Sequence, residues 1–254
     1  MGYEEIIYSK EHFKATITLN RPEKLNAYGE KMGHELKSAV ADIETDDNVK
    51  VVIITGAGRG FCSGHDLKDT QSTVRSNTRR LFLRFDRDEY YLPTHVYGIN
   101  KPVIGAVNGV TAGGGVALAL ACDFRIASKE VMFFENHVGI GTLPGLETLL
   151  LPRIVGLEKA LEIIFTGKKI TAEEALNIGL VSKIVPREKL MEEANELADR
   201  IANSPLWSLM LSKKAVYQGL QITSDQTIDY ITLARAICSQ AGITNTTLPK
   251  KSGK

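Results

Sequence analysis

From Pro102 to Cys122, twenty-one consecutive residues carry no charge, and five of them are glycines (Gly105, Gly109, Gly113, Gly114, Gly115). The run is long enough to span a membrane. A lipid-facing helix, however, needs continuous, strongly apolar sequence, and the glycines, Pro102 and Asn108 interrupt it. Uncharged, glycine-broken sequence of this kind belongs inside a protein core, as strand, loop and helix. A chain of 254 residues is ample for such a core, as one large domain or two small ones. Thirty-one Lys and Arg against thirty Asp and Glu leave a net charge of +1, which argues against a general polyanion-binding surface and hence a nucleic-acid partner. Cys62, Cys122 and Cys238 stand far apart and form no CxxC pair, so neither a disulfide framework nor a structural metal site is expected. Reduced thiols, and a start (MGYEEIIYSK) without the profile of a secretion signal, give the expectation of a cytoplasmic protein with no membrane span.

Patterning divides the chain. Residues 15–19 (ATITL) alternate polar and apolar, as a half-buried strand does, and 51–54 (VVII), 103–107, 124–127 and 131–134 read as further strands. Leu36, Val40 and Ile43 have helical spacing. The second half is mostly helical: a capping box at Thr171 and Glu174 closed by Gly179, then helices predicted over 188–202, 207–220 and 228–237. The polar, basic tail at 246–254 is expected to fray. The order predicts an α/β core over residues 1–190 and a helical region over 191–254.

Gly56, Gly58 and Gly60 follow a strand like the opening of a dinucleotide fingerprint, but Phe61 stands where its last glycine belongs. There is no GxxxxGK[ST] phosphate loop and no GxSxG elbow. Two other loops carry more: residues 61–68 (FCSGHDLK) and 108–115 (NGVTAGGG), each after an apolar strand. Their glycines serve either tight turns or chemistry. A helix starting at the triple glycine presents uncovered N–H groups, and if the loops converge, two N–H groups can hold one oxyanion.

These segments resemble the crotonase, or enoyl-CoA hydratase/isomerase, superfamily. The likeness runs through residues 19–27 (LNRPEKLNA), 51–68, 101–128, 139–145 (GIGTLPG) and 166–181. It implies a spiral of ββα units with a C-terminal helical trimerisation region, and a homotrimer or dimer of trimers. It also implies binding of acyl-CoA thioesters, with CoA entering as part of the substrate and no separate cofactor. Carried over by motif, the oxyanion donors are the N–H groups of His65 and Gly114. Contacts to CoA fall near Lys24, Ala27, Ser63, Asp66, Leu67 and Lys68, where the Lys68 ammonium suits a phosphate.

The chain departs from the family where hydratases carry two glutamates: Ala117 and His137 stand at those positions, and residues 145–148 are one residue short of the usual run. Ala117 cannot transfer a proton, whereas an imidazole can, and this makes His137 the candidate catalyst. Glu135 and Glu147 are possible replacements but read more readily as surface or helix-start residues. Tyr90, Tyr91 and His95 either line an acyl pocket or sit in a mobile surface loop, and Cys62 reads as a packing residue. An atypical enoyl-CoA hydratase/isomerase is therefore expected. A CoA-thioester decarboxylase or hydrolase, and an inactive acyl-CoA-binding protein, are the alternatives.

Overall fold

A strand as uniformly apolar as 51–54 must be covered on both faces, and its neighbours supply a layer on each side. The computed structural model describes residues 2–66 and 91–240. In chain order the elements are β1 (Ile6–Glu11), β2 (Lys14–Leu19), α1 (Glu30–Thr45), β3 (Val51–Gly56), β4 (Gly60–Cys62), α2 (Leu92–Tyr97), β5 (Val103–Val107), β6 (Val110–Ala112), α3 (Gly114–Ala121), β7 (Phe124–Ser128) and β8 (Met132–Phe134). There follow α4 (Glu147–Val155), α5 (Leu157–Thr166), β9 (Lys169–Thr171), α6 (Ala172–Asn177), β10 (Lys183–Val185), α7 (Leu190–Ala202), α8 (Leu206–Gly219) and α9 (Ser224–Gln240).

Among the described residues the strands form two sheets, ordered β1-β2-β3-β5-β7-β10 and β4-β6-β8-β9. Within them β1–β2 and β8–β9 pair antiparallel and the remaining neighbours pair parallel. The chain deals its strands alternately: β3, β5 and β7 join the larger sheet, and β4, β6 and β8 join the smaller. Helices follow β6 and β8 before the next turn begins. This is the α/β spiral of ββα units that the motifs predict. The uncharged run at 102–122 resolves into β5, β6 and α3, and no helix among the described residues is long and apolar enough to cross a membrane.

Period-two side-chain alternation decides which layer each residue meets. Val51, Ile53, Ile104, Ala106 and Ile126 pack with Leu190, Ala194, Ala198 and Ala202, a four-residue stripe on α7. Val52, Ile54, Val103 and Val107 join the main core with Leu36, Ala39 and Ile43 of α1. Thus α7, placed by sequence at the start of the C-terminal region, lies on the larger sheet, since its alanines allow close approach. Asp123 ties α8 to the core, accepting bonds from Lys213 Nζ at 2.7 Å and the Tyr217 hydroxyl at 2.8 Å. Trp207, Val216, Leu220, Ile228 and Leu233 on α8, α9 and the turn between them remain exposed. Residues 246–254 lie outside the described residues.

Candidate active site

Strands β4, β6 and β8 are parallel neighbours in the smaller sheet. Whatever follows each of them therefore leaves at one end of that sheet, where open α/β sheets place their sites. After β4 come Ser63, Gly64, His65 and Asp66. After β6 come Gly113, Gly114 and Gly115 at the start of α3. After β8 come Glu135 and His137.

The residues of LNRPEKLNA form one wall. Asn26, fully buried and in the left-handed region at φ 57°, donates through Nδ2 to the carbonyls of Ala57, Gly60 and Phe61 at 2.9, 2.9 and 3.2 Å. Its Oδ1 accepts the Arg21 N–H at 2.8 Å. Replacement by Ala takes these bonds from the Arg21 N–H, Ala57 O and Phe61 O, while Gly60 O keeps Asn108 Nδ2 at 3.0 Å, and it is expected to lower stability by roughly 3 kcal/mol or more, at about 1–3 kcal/mol for each unsatisfied group. Urea midpoints of the two proteins check this.

Tyr28 pairs beside His65: the Tyr28 N–H donates to Gly64 O at 2.9 Å and the Asp66 N–H to Tyr28 O at 2.8 Å. Because Gly64 and Asp66 bond to Tyr28, the intervening His65 N–H faces the opposite way. The two loops touch there. Gly64 has φ 89°, and a Cβ on it would lie 3.0 Å from the Gly114 nitrogen. Gly114 opens α3, so its N–H is one that the helix leaves without an internal partner.

His137 closes the third side. A Cβ on Gly113 would lie 3.4 Å from its Cε1 and 3.8 Å from its Nε2. Its other ring nitrogen, Nδ1, is 2.5 Å from Glu135 Oε1, which also accepts the His137 backbone N–H at 3.1 Å. With Nδ1–H donating to the carboxylate, Nε2 is left as the basic nitrogen. The hydrogen bond to Glu135 raises the pKa of His137 above the usual imidazole range, against the effect of burial. Glu147, the first residue of α4, completes the set. Burial and then the charge of Glu135 push its pKa up to about 7. The Tyr91 hydroxyl lies 3.5 Å from Glu147 Oε2 and accepts the Leu146 N–H at 3.2 Å. The Tyr91 ring stacks on His65, with centroids 5.5 Å apart.

Glu135 is 1% exposed and Glu147 0%. Neither is a surface residue, although Glu147 does start a helix, one of the two placements that the sequence suggested. Glu135 continues the inward alternation of Val131 and Phe133, and Glu147 shares the buried face of α4 with Leu150 and Leu151. Glu135 Oε2 and Glu147 Oε1 are buried without a hydrogen-bond partner among the described residues. The trio offers three ligand-type atoms within 4.8 Å of one another, which the sequence did not anticipate. Two ligands of one zinc ion stand about 3.3 Å apart, from bond lengths near 2.0–2.1 Å at tetrahedral angles. The 2.5 Å contact from Nδ1 to Oε1 is a hydrogen bond, and as placed these residues share protons, not an ion.

The residues expected at CoA fall into two groups. Lys24, Ala27, Ser63 and Asp66 come together: Ser63 Oγ donates to Lys24 O at 3.1 Å, and Asp66 Oδ2 accepts from Lys24 Nζ at 2.8 Å and Arg21 Nη2 at 3.0 Å, while Arg21 Nη1 holds Ala27 O at 2.7 Å. Leu67 and Lys68 lie outside the described residues, as does Tyr90. Tyr91 is part of the site and not of a mobile surface loop, whereas His95 sits at the far end of α2. Cys62 and Ala117 are fully buried, and burial pushes the Cys62 thiol up to about 12.

The family model described as enoyl-CoA hydratase/isomerase matches residues 11–244. The crotonyl-CoA hydratase of Syntrophomonas wolfei is 37% identical over 240 residues, covering 94% of this chain and 91% of that protein. The 1,2-epoxyphenylacetyl-CoA isomerase of Escherichia coli is 35% identical over 227 residues, 89% of this chain and 87% of that one. Among solved structures, an enoyl-CoA hydratase from Bacillus anthracis superposes with a TM-score of 0.84 at 31% identity, over 96% of this chain and 92% of the other. Motif order, sheet topology and these similarities agree: the chain belongs to the enoyl-CoA hydratase/isomerase family.

Proposed function

We propose that this chain is an atypical acyl-CoA hydratase or isomerase that holds a thioester enolate between the peptide N–H groups of His65 and Gly114 and moves the proton of the adjacent carbon with His137. The observation that carries this reading is the meeting of the two loops, Gly64 against the Gly114 nitrogen, with the His137 ring packed on Gly113. When a thioester loses its α-proton, charge moves onto the carbonyl oxygen. Two fixed donors stabilise that charge, each typically contributing about 10²- to 10³-fold in rate. Glu135 orients the imidazole so that Nε2 takes the proton, and it stabilises the imidazolium that forms. Lys24, Ala27, Ser63 and Asp66, with Leu67 and Lys68, are the proposed contacts to the CoA portion. The exposed apolar residues of α8 and α9 are the proposed contact with neighbouring subunits in a homotrimer or dimer of trimers. The relatives are named for hydration of crotonyl-CoA and isomerisation of 1,2-epoxyphenylacetyl-CoA, both CoA thioesters.

The basic group of this site, His137, is already bonded to Glu135, so an acyl group that itself bears a carboxylate meets no uncommitted cation there among the described residues. Decarboxylation is therefore the weaker reading. Mass spectrometry across enoyl-, malonyl- and 3-hydroxyacyl-CoA thioesters tests the proposal. Hydrated or isomerised enoyl product is expected, and malonyl-CoA is expected to yield no acetyl-CoA. Release of carbon dioxide without enoyl turnover would remove hydration and isomerisation from the account.

A further inference from the structure

Hydration and double-bond isomerisation each require a proton to leave one atom and another to arrive at a different one. In hydration, a base takes a proton from water as its oxygen bonds to the β-carbon, and an acid delivers a proton to the α-carbon. In isomerisation of a 3-enoyl thioester, the α-carbon loses a proton and the γ-carbon gains one. One imidazole, fixed on Gly113 and held by Glu135, reaches one of these positions well. Ala117, buried on α3, has no proton to give.

We propose that Glu147 is the second proton carrier of this site and that it serves a different atom of the acyl group from the one served by His137. This rests on the enolate reading above. Three features of the geometry point to it. Glu147 is fully buried, with Oε1 lacking a hydrogen-bond partner among the described residues, so the group has a free position for a proton inside the site. Its ligand-type oxygen lies within 4.8 Å of those of His137 and Glu135, a span that one water bridges. It also reaches the site from a different element: His137 rests on the Gly113 loop, whereas Glu147 lies at Tyr91, whose ring is stacked on His65 of the other loop. An acyl chain whose carbonyl sits between the two loops thus has two proton carriers beside it.

The protons balance. In isomerisation, His137 Nε2 takes the α-proton and becomes imidazolium, and the carbonyl oxygen carries the charge of the dienolate. Glu147 then gives its proton to the γ-carbon, the carbonyl re-forms, and the imidazolium returns its proton to the Glu147 carboxylate. In hydration, His137 takes the proton from water and Glu147 protonates the α-carbon. The working state is one proton shared between His137 and Glu147, with Glu135 held against the imidazole Nδ1. The groups facing Glu147 are Glu135 and His137 after β8 and the Tyr91 hydroxyl before α2. A bell-shaped pH profile with one limb near 7 is expected, because burial holds Glu147 at about 7.

The test separates the two half-reactions. In deuterated water, exchange of the α-hydrogens of butyryl-CoA needs only the oxyanion donors and one base. Turnover of crotonyl-CoA and 3-butenoyl-CoA needs both carriers. Glu147→Gln is expected to keep butyryl-CoA exchange within about threefold while losing about 10²-fold or more in turnover, together with the limb near 7. Glu147→Asp, which keeps a carboxyl, is expected to recover part of the turnover, and thermal melts of both variants establish that they fold. Wild-type turnover by E147Q overturns the proposal, as does loss of exchange in parallel with turnover. Wild-type enzyme that exchanges butyryl-CoA but turns over neither enoyl thioester also overturns it and leaves the enolate reading intact. Absence of exchange in the wild type overturns the enolate reading itself, and the role of Glu147 with it.

Discussion

Replacing His137 with alanine lowers kcat for enoyl-CoA turnover by about 10²- to 10⁴-fold, the usual contribution of a positioned general base, and leaves KM within a few-fold. The split follows from where the side chain lies. Its Nε2 edge faces the Gly113 loop, and none of the residues grouped at Lys24, Ala27, Ser63 and Asp66 depends on it. The loss therefore falls on the chemical step and not on CoA binding. The variant also destabilises the protein, because Glu135 Oε1 keeps only the backbone N–H of residue 137 and its charge remains buried. A cost of about 1–3 kcal/mol is expected for that orphaned hydrogen-bonding capacity. Steady-state kinetics with crotonyl-CoA, alongside a thermal melt, measure both. Unchanged kcat would remove His137 from the mechanism, and a large rise in KM with kcat intact would make it a binding residue.

Gly115→Ala is expected to damage stability and rate together. A Cβ at this position would lie 2.7 Å from the Cys62 carbonyl carbon and closer still to its oxygen, so either α3 or β4 must move. Every residue of α3 is buried, and β4 is buried throughout, so neither can shift into open space. Overpacking of this kind costs about 3 kcal/mol at the upper end of the usual range. For a chain of this size that corresponds to a fall of roughly 6–12 °C in Tm. Displacing the start of α3 also displaces the Gly114 N–H, and loss of one oxyanion donor costs about 10²- to 10³-fold in kcat. Calorimetry and kinetics on the same preparation test the pair of effects. A stable, fully active G115A protein would show that the glycine is not required by this close approach.

The parts of the fold readable in advance were those where burial repeats at a fixed period. The strands β2, β3, β5 and β7 and the helices α1, α6, α7, α8 and α9 all announce themselves through period-two or period-four apolar spacing or through the Thr171 cap, whose side chain accepts the Glu174 N–H. The pair α4 and α5 is hidden by Pro152 inside the first helix and Gly156 between the two, which read as breakers. The short strands β4, β6 and β9, each of three residues, carry too little pattern to stand out alone. Within the site, the glycine loops and His137 are legible as motif and departure. Glu135 and Glu147 are charged, and charge alone favours a surface assignment. Their burial is encoded in their neighbours: Val131 and Phe133 at spacing two, Leu150 and Leu151 at spacing three and four. What no local pattern conveys is that the end of β8 and the start of α4 meet, because that depends on β8 lying beside β6 and on α4 packing against α3, the helix that follows β6.

The account depends on two peptide N–H groups meeting one oxygen. A crystal structure with butyryl-CoA bound tests this most directly. The thioester oxygen is predicted to lie about 2.7–3.1 Å from both the His65 and Gly114 nitrogens, with Nε2 of His137 facing the α-carbon. A thioester oxygen bonded to neither nitrogen, or held by a side chain elsewhere in the cleft, would contradict it.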